Sequence, residues 1–363
     1  MTINNMKNNK IALFVILLSS ILLSCSSKAQ IYPDKNWSSN QNPEAKGWVE
    51  PEYSIFNRYV IDSTNITGLV IIHKGEIVFE YGDIEENSYI ASCRKSILAM
   101  LFGKYVENGT IDLNKTLKAL EINDVSKLLP IEKKAKIKDL ISARSGVYLN
   151  GSNGGDFRRY APKRGTIEPG SYWLYNNWDF NLAGYIFEKE TNSNIYDEIE
   201  SQLAIPLQME DWDKTLQRKN GNLEVSKFPA YHMWFSTRDM ARIGLLMLRK
   251  GKWNNKQIIP EKWVDEIITQ RTSYKEAQKN VPVLKEDGID LGYGYMWWLI
   301  ENTDDYRLKN AYSAQGALGQ NITVYPEIDV VLAYKTKSDY RRRNSIQTQM
   351  KVMKKAIEIY NPN

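Results

Sequence analysis

Ser92 and Lys95 stand three residues apart in "YIASCRKSILAM" (89–100), where the sequence turns from a polar start to an apolar run. On a helix, positions i and i+3 share a face, which brings the serine hydroxyl and the lysine amine together. At the first helical turn, free backbone N–H groups and the positive dipole end favour an oxyanion forming there. A lysine held against "ILAML" is partly desolvated, which lowers its pKa and lets a neutral amine accept the serine proton. The chemistry on offer is acyl transfer through a serine ester. Cys93 turns away from that face and reads as inert core. Taken alone, S-x-x-K also describes an N-capping serine beside a surface lysine, so the spacing needs support from elsewhere.

Two further stretches supply it. Tyr175-Asn176-Asn177, within "EPGSYWLYNNWDFNLAGYIFE" (168–188), is a Y-x-N set immediately before an apolar helical pattern. "YSAQGALGQNITVYPEIDVVLAYK" (312–335) is a glycine-containing strand start followed by a strand pair around Pro326-Glu327. The rival chemistries lack their residues. There is no HExxH, GxGxxG or Walker A pattern, no metal-ligand spacing, and no G-x-S-x-G. The two histidines do not fill the gap. His73 falls at a hairpin turn, where an exposed or edge position is expected, and His232, in "AYHMWFSTRD", reads as structural. No metal or organic cofactor is implied.

The order S-x-x-K, Y-x-N and a small glycine-containing strand motif resembles the class C β-lactamase-related serine hydrolases. That group takes in penicillin-recognising enzymes, D-alanyl peptidases, family VIII esterases and 6-aminohexanoate-dimer hydrolases. "IKDLISARSGV" (137–147), "STRDMARIGLLMLRKGKWNNKQIIPEKWV" (236–264) and "YGYMWW" (293–298) look similar too, and the likeness spans about residues 55–355. The resemblance implies Ser92 as acylated nucleophile and Lys95 as its proton acceptor. Tyr175 would share base duty and hand a proton to the leaving group, its phenol pKa lowered by the adjacent lysine cation. Asn177 would hold Lys95 and substrate, and the N–H groups of Ser92 and Ala317 would form the oxyanion hole.

One position departs from the pattern. Where the resemblance calls for K-T-G, this chain has Ala314-Gln315-Gly316. Losing that lysine removes a charge-assisted bond to an acidic substrate group, of order 1.5–3 kcal/mol. Arg94 and Arg144 are the candidates to replace it. Gln315 stays a substrate-binding candidate, and Gly316 is expected to clear space for substrate at the strand edge. Tyr172, Trp173, Trp178, Trp234, Trp297 and Trp298 either line an aromatic cleft or pack between domains. Trp297 and Trp298 alternate on a strand, so at most one faces the cleft.

These groups need elements to hold them. "GLVIIHKGEIVFEYGD" (68–83) reads as two β-rich runs around a Lys74-Gly75 hairpin, and strands return from Leu291. Between them lie helices broken by glycine-rich loops such as "NGSNGGDF" (150–157), with an amphipathic helix over 236–253 capped by Ser236 or Thr237. A last helix is expected over about 342–360, with Arg341–Arg343 as its solvated start. The fold class is therefore α/β, β-lactamase/transpeptidase-like: an antiparallel sheet built from both chain ends, flanked by helices, with an inserted helical domain and a cleft between. The expected domains are residues 51–91 with 225–363 (α/β) and 92–224 (mainly helical, carrying S-x-x-K and Y-x-N).

The chain has 363 residues, 42% hydrophobic and 25% charged, which is ordinary for a globular protein. "IALFVILLSSILL" (11–23) follows a basic start and is too short for a typical membrane span. Ending in "LLSC", it resembles a bacterial lipoprotein signal (1–24), with Cys25 lipidated and 25–50 a polar tether. Ordinary cleavage after Ala29 is the alternative, and both carry the protein out of the cytoplasm. Loss of Lys7 and Lys10 with that segment takes two charges from the net +5, too little and too dispersed for nucleic acid. Cys93, the other cysteine, has no internal disulfide partner once Cys25 is lipidated. The reading is an extracytoplasmic serine hydrolase, anchored by lipid in the cell envelope or secreted. It takes a small-molecule acyl substrate, with esters ahead of small amides and β-lactams or D-alanyl peptides third. A glycan- or peptidoglycan-binding surface protein without catalysis is the rival, and the oligomeric state stays open.

Overall fold

The protein is described by a computed structural model, and the structure describes residues 30–286, 290–337 and 342–362. The β-rich runs from the two chain ends meet in one antiparallel sheet. Its strands are β1 (Gly68–His73), β2 (Glu76–Gly82), β3 (Asp290–Tyr293), β4 (Trp298–Glu301), β5 (Tyr312–Gly316), β6 (Gln320–Tyr325) and β7 (Val330–Lys335). The spatial order is β2-β1-β7-β6-β5-β4-β3, so β1 from the N-terminal run lies against β7 from the C-terminal one. β1 is buried along its whole length, as its unbroken apolar run requires. Lys74 and Gly75 sit at φ 54° and 91°, the doubly left-handed turn that a tight hairpin needs.

Five longer helices matter for the site: α1 (Glu52–Ser63), α2 (Cys93–Glu107), α3 (Asn177–Thr191), α4 (Thr237–Leu248) and α5 (Ile346–Glu358). Ser236 is the α4 cap, its side chain accepting from the Asp239 amide at 3.1 Å. The α4 helix lies close on the sheet because Gly244 has no Cβ; one there would stand 2.4 Å from Val331 Cγ1 and 2.9 Å from Ile322 Cγ2. On the opposite face of β6, Tyr325 donates to the Met353 carbonyl of α5 at 2.7 Å. Alternation along the strand thus gives the sheet a helix on each side. The α5 helix starts later than expected, at Ile346, because Ser345 caps it through the Thr348 amide. Arg342 and Arg343 precede it and are exposed, while Arg341 lies outside the described residues.

Two expectations change. His73 is not exposed at its turn but fully buried, its Nδ1 accepting from Trp48 Nε1 at 2.9 Å. Trp48 and Tyr360, from opposite ends of the chain, close over it, and burial pulls its pKa down to about 3. For the same reason the polar stretch read as a tether is laid on the body from Ile31 onward. Ile77 on β2 exchanges backbone bonds with Ser38 and Asn40 at 3.0 and 2.8 Å, and Trp48 is core. The signal segment and Cys25 lie outside the described residues. Among the described residues no helix is long and apolar enough to cross a membrane.

Candidate active site

The chain enters α2 through a sharp turn. Ser88–Tyr89 pairs with Trp234–Phe235, and Ala91 then takes φ 50°, a left-handed conformation that costs a non-glycine residue about 1 kcal/mol. That turn presents Ser92 as the residue before the first helical turn. Its side chain makes no capping bond, so the hydroxyl is not spent on the helix. Asn176 does cap its helix: its side-chain oxygen accepts from the Trp178 amide at 3.2 Å. The middle residue of Y-x-N therefore fixes the start of α3, with Tyr175 just before it and Asn177 just after. Tyr175 is further held by Trp298, stacked at 5.6 Å, and by Phe180 at 4.7 Å.

These placements converge on one amine. Lys95 Nζ lies 3.0 Å from Ser92 Oγ, 2.6 Å from Tyr175 OH and 2.6 Å from Asn177 Oδ1. Lys95 and Tyr175 are both buried. Three partners satisfy either form of the amine. An ammonium donates to all three, whereas a neutral amine donates two hydrogens and accepts the serine proton on its lone pair. The rings of Tyr175 and Phe180, at 4.2 and 4.6 Å, favour the cation by about 0.5–2 kcal/mol. Burying an ion without a carboxylate partner costs several kcal/mol, so desolvation wins. Lys95 is held well below its ordinary value, by burial first and by Arg94 second, with Asp156 acting the other way.

Tyr175 differs from expectation. Burial raises its pKa, and the hydrogen bond from Ser92 and the charge of Arg94 offset only part of that rise. Both directions favour a neutral amine beside a neutral phenol over an ammonium beside a phenolate. In that form the lone pair open to a proton sits on the amine nitrogen and not on a phenolate oxygen. The two groups titrate together, so the net-neutral pair is the unit that matters.

The cleft in front of Ser92 is small, about 170 Å³, and Gly155, Asp156, Phe157, Tyr175, Trp298 and Gln315–Ala317 help to line it, with Ile346 and Gln349 of α5. Larger hollows exist, one of about 440 Å³ beside Glu301 and Lys354, but Ser92 faces none of them. Gln315 is half-buried and lines the cleft, while its Nε2 is itself buried and finds no protein acceptor. Neither the Ser92 nor the Ala317 amide donates to a protein acceptor among the described residues. The expected oxyanion donors are thus unoccupied and border the same cleft. Gly316 has a structural reason besides the expected one. A Cβ there would meet the Ile90 carbonyl at 2.6 Å and Ala91 Cβ at 3.2 Å, so the glycine lets β5 close against the turn below Ser92.

Other candidates fall away. Arg94 is buried and bonds Asn181; Arg144 bonds Gly170 and Thr272 and pairs with Glu276, so neither lines the cleft in place of the missing K-T-G lysine. His232 Nδ1 shares a hydrogen with Tyr89 OH at 2.9 Å, outside the cleft. Trp298 lines it, whereas Trp297 is buried and donates to the Ser96 carbonyl. Cys93 is buried, its thiol pKa driven up by desolvation. Asp156, Phe157, Ile346 and Gln349 were not anticipated. The first two end a glycine-rich loop, which could have flagged them; nothing local marks the α5 pair. No cluster of metal-ligating side chains occurs among the described residues.

The fold is β-lactamase/transpeptidase-like. The chain belongs to the Beta-lactamase family, whose model matches residues 61–352. A candidate 6-aminohexanoate-dimer hydrolase from Bacillus anthracis has a similar structure, with TM-score 0.64 and 19% identity over 91% of this chain and 89% of that one. A penicillin binding protein from Bacillus halodurans is similar at TM-score 0.59 and 16% identity, covering 82% of this chain and 99% of that one. In sequence, the chain is 24% identical to an uncharacterised protein of Alkalihalophilus pseudofirmus, over 72% of this chain and 80% of that protein.

Proposed function

We propose that the protein is an extracytoplasmic serine hydrolase that cleaves carboxylic esters, and more slowly small amides, through an acyl-enzyme. The observation that carries this reading is the buried Lys95 amine within 3.0 Å of Ser92 Oγ and 2.6 Å of Tyr175 OH. In the first step Ser92 Oγ attacks the carbonyl carbon while its proton passes to Lys95. The carbonyl oxygen gathers charge against the Ser92 and Ala317 amides. The C–O bond to the leaving alcohol then breaks, and Tyr175 delivers a proton to that oxygen, itself resupplied from Lys95. Water repeats the sequence on the ester of Ser92 and releases the acid.

Esters rank first because an alcohol leaving group asks least of a site without the K-T-G lysine. Ala314 is buried where that lysine is expected, and no cationic side chain is among the named cleft residues. An anionic β-lactam would therefore meet little charge complementarity. A lipid anchor at Cys25 is part of the same reading, and a Cys25→Ala variant would leave the membrane fraction. The decisive experiment is labelling with a fluorophosphonate. Its mass should add at Ser92 and vanish in Ser92→Ala; absence of labelling would favour a binding protein. Turnover of p-nitrophenyl butyrate should exceed that of nitrocefin, and the reverse order would overturn the substrate ranking.

A further inference from the structure

Arg94 lies between the nucleophile and the amine on the catalytic helix, and it is 1% exposed. Its Nη2 donates to Asn181 Oδ1 at 3.2 Å, while its Nε and Nη1 meet no protein acceptor. Its guanidinium carbon stands 4.7 Å from the centre of the Tyr231 ring. No carboxylate pairs with it among the described residues. Buried charges are ordinarily paired, and one left unpaired acts at longer range through a low-dielectric interior.

The groups around it offer no countercharge. Tyr231 stands over it, and the Arg94 charge reaches His232 on the same Ala230–His232 strand, Tyr196 on the short helix Ile195–Ile199 and Tyr89 on the ribbon before α2. Burial keeps the three phenols protonated and lowers His232 to about 4, so all four are neutral near pH 7. Cys93 is a neutral thiol. Glu188 and Arg218 act on Tyr196 with opposite sign, and Arg218 acts on His232 as well. The carboxylate that acts on Lys95 is Asp156, from the cleft side.

Arg94 is also connected to the amine through hydrogen bonds. Asn181 Nδ2 donates to Asn153 Oδ1 at 2.9 Å, and the Gly154 carbonyl accepts from Asn177 Nδ2 at 2.7 Å. Asn177 Oδ1 in turn accepts from Lys95. Asn177 and Asn181 are one turn apart on α3, so a single helix face carries both ends of this relay.

We propose that Arg94 is a positioning residue whose unpaired buried charge sets the pH range over which the Lys95–Tyr175 pair is net neutral and able to take the Ser92 proton. The inference rests on the serine-hydrolase reading for its catalytic meaning, but not for its proton equilibrium. A fixed cation disfavours the doubly protonated pair, which is positive, and favours the doubly deprotonated pair, which is negative. Both limbs of a bell-shaped rate profile therefore lie at lower pH than they would without Arg94. The direction of each shift agrees: Arg94 lowers both Lys95 and Tyr175.

The test compares wild type, Arg94→Met and Arg94→Lys. Each is followed by the pH dependence of kcat/KM on p-nitrophenyl butyrate and by NMR titration of 13Cε-lysine-labelled protein, with Lys95→Met assigning the signal. Arg94→Met should move both limbs and the Lys95 midpoint upward by about one pH unit, an about tenfold rate loss on the acid flank recovered at higher pH. Arg94→Lys should keep limbs and midpoint near wild type. Limbs and midpoint unmoved in Arg94→Met, with only a lower plateau, would overturn the proposal. So would an Arg94→Lys variant that shifts as far as Arg94→Met. If wild type hydrolyses nothing, the serine-hydrolase reading fails, while the NMR midpoint still decides what Arg94 does to Lys95. Arg94→Gln, which keeps a donor for Asn181, carries the same comparison if Arg94→Met does not fold.

Discussion

Two serine–lysine contacts lie close together in this molecule. Ser92 stands 3.0 Å from Lys95, and Ser88, four residues earlier, stands 2.9 Å from Lys335 at the end of β7. Both amines are buried, and burial depresses both, Lys335 to about 7. Their other partners differ. Lys335 donates to the carbonyls of Glu86 and Phe235, fixed acceptors that never supply a proton. Lys95 meets a phenol and an amide, and its serine borders a cleft whereas Ser88 is core. Proximity of a hydroxyl and an amine is therefore not what defines a base. Access to a carbonyl and a second group able to relay the proton are. Lys335 instead ties the Ser88–Tyr89 ribbon, and with it the turn into α2, to the sheet.

The largest effect expected from this contrast is on catalysis. Lys95→Met should lower kcat/KM on an ester by at least about 10³-fold, since in the proposed reaction it removes the proton acceptor and with it the activation of Ser92. Lys335→Met should cost far less activity, within about tenfold, because no group it touches faces substrate. Steady-state kinetics on the two variants, with circular dichroism to show that both fold, checks the comparison. Equal losses would mean that Lys335 shares in the chemistry.

The contrast also separates what the sequence could show from what it could not. Ser92 and Lys95 were legible because helical spacing alone brings i and i+3 together, and the Tyr175–Asn177 set was legible from its place before an apolar helix. Alternation was enough to say that at most one of Trp297 and Trp298 faces the cleft, but not which. Lys335 was hidden, because nothing in "VVLAYK" says that the ribbon 247 residues earlier will supply its acceptor. His73 was misplaced for the same reason: a hairpin turn looks exposed until Trp48 and Tyr360 close over it. Gly316 was singled out for substrate, but nothing local showed that the Ile90 carbonyl also crowds it. Local periodicity reveals faces; it does not reveal which distant segment covers them.

A smaller effect should appear in stability. Lys335→Met leaves the Glu86 and Phe235 carbonyls buried without their donor, an expected loss of about 2–4 kcal/mol. The loss should depend on pH. The folded amine titrates at about 7 and the unfolded one near 10.5, so between those values the unfolded chain binds a proton that the folded chain does not. Stability carried by this group therefore rises with pH across that window and is level below it. The deficit of Lys335→Met, measured by urea unfolding at pH 6 and pH 9, should be larger at pH 9. A deficit that shrinks with pH would mean that Lys335 is held as a stabilised cation.

The smallest effect is expected at the second serine. Ser88→Ala removes one acceptor from Lys335 and leaves the two carbonyls, so the amine stays in place with one bond fewer. The cost should be about 1 kcal/mol, the net value of an ordinary hydrogen bond. Because the hydroxyl favours the ammonium by accepting from it, its loss should also move the Lys335 midpoint downward, widening the pH window in which the folded amine is neutral. Fluorophosphonate labelling should proceed at the wild-type rate, since Ser88 is core and Ser92 keeps all its contacts. Slower labelling in Ser88→Ala, with the unfolding midpoint unchanged, would show that the two serine–lysine contacts act as one system and that the ribbon between them transmits more than position.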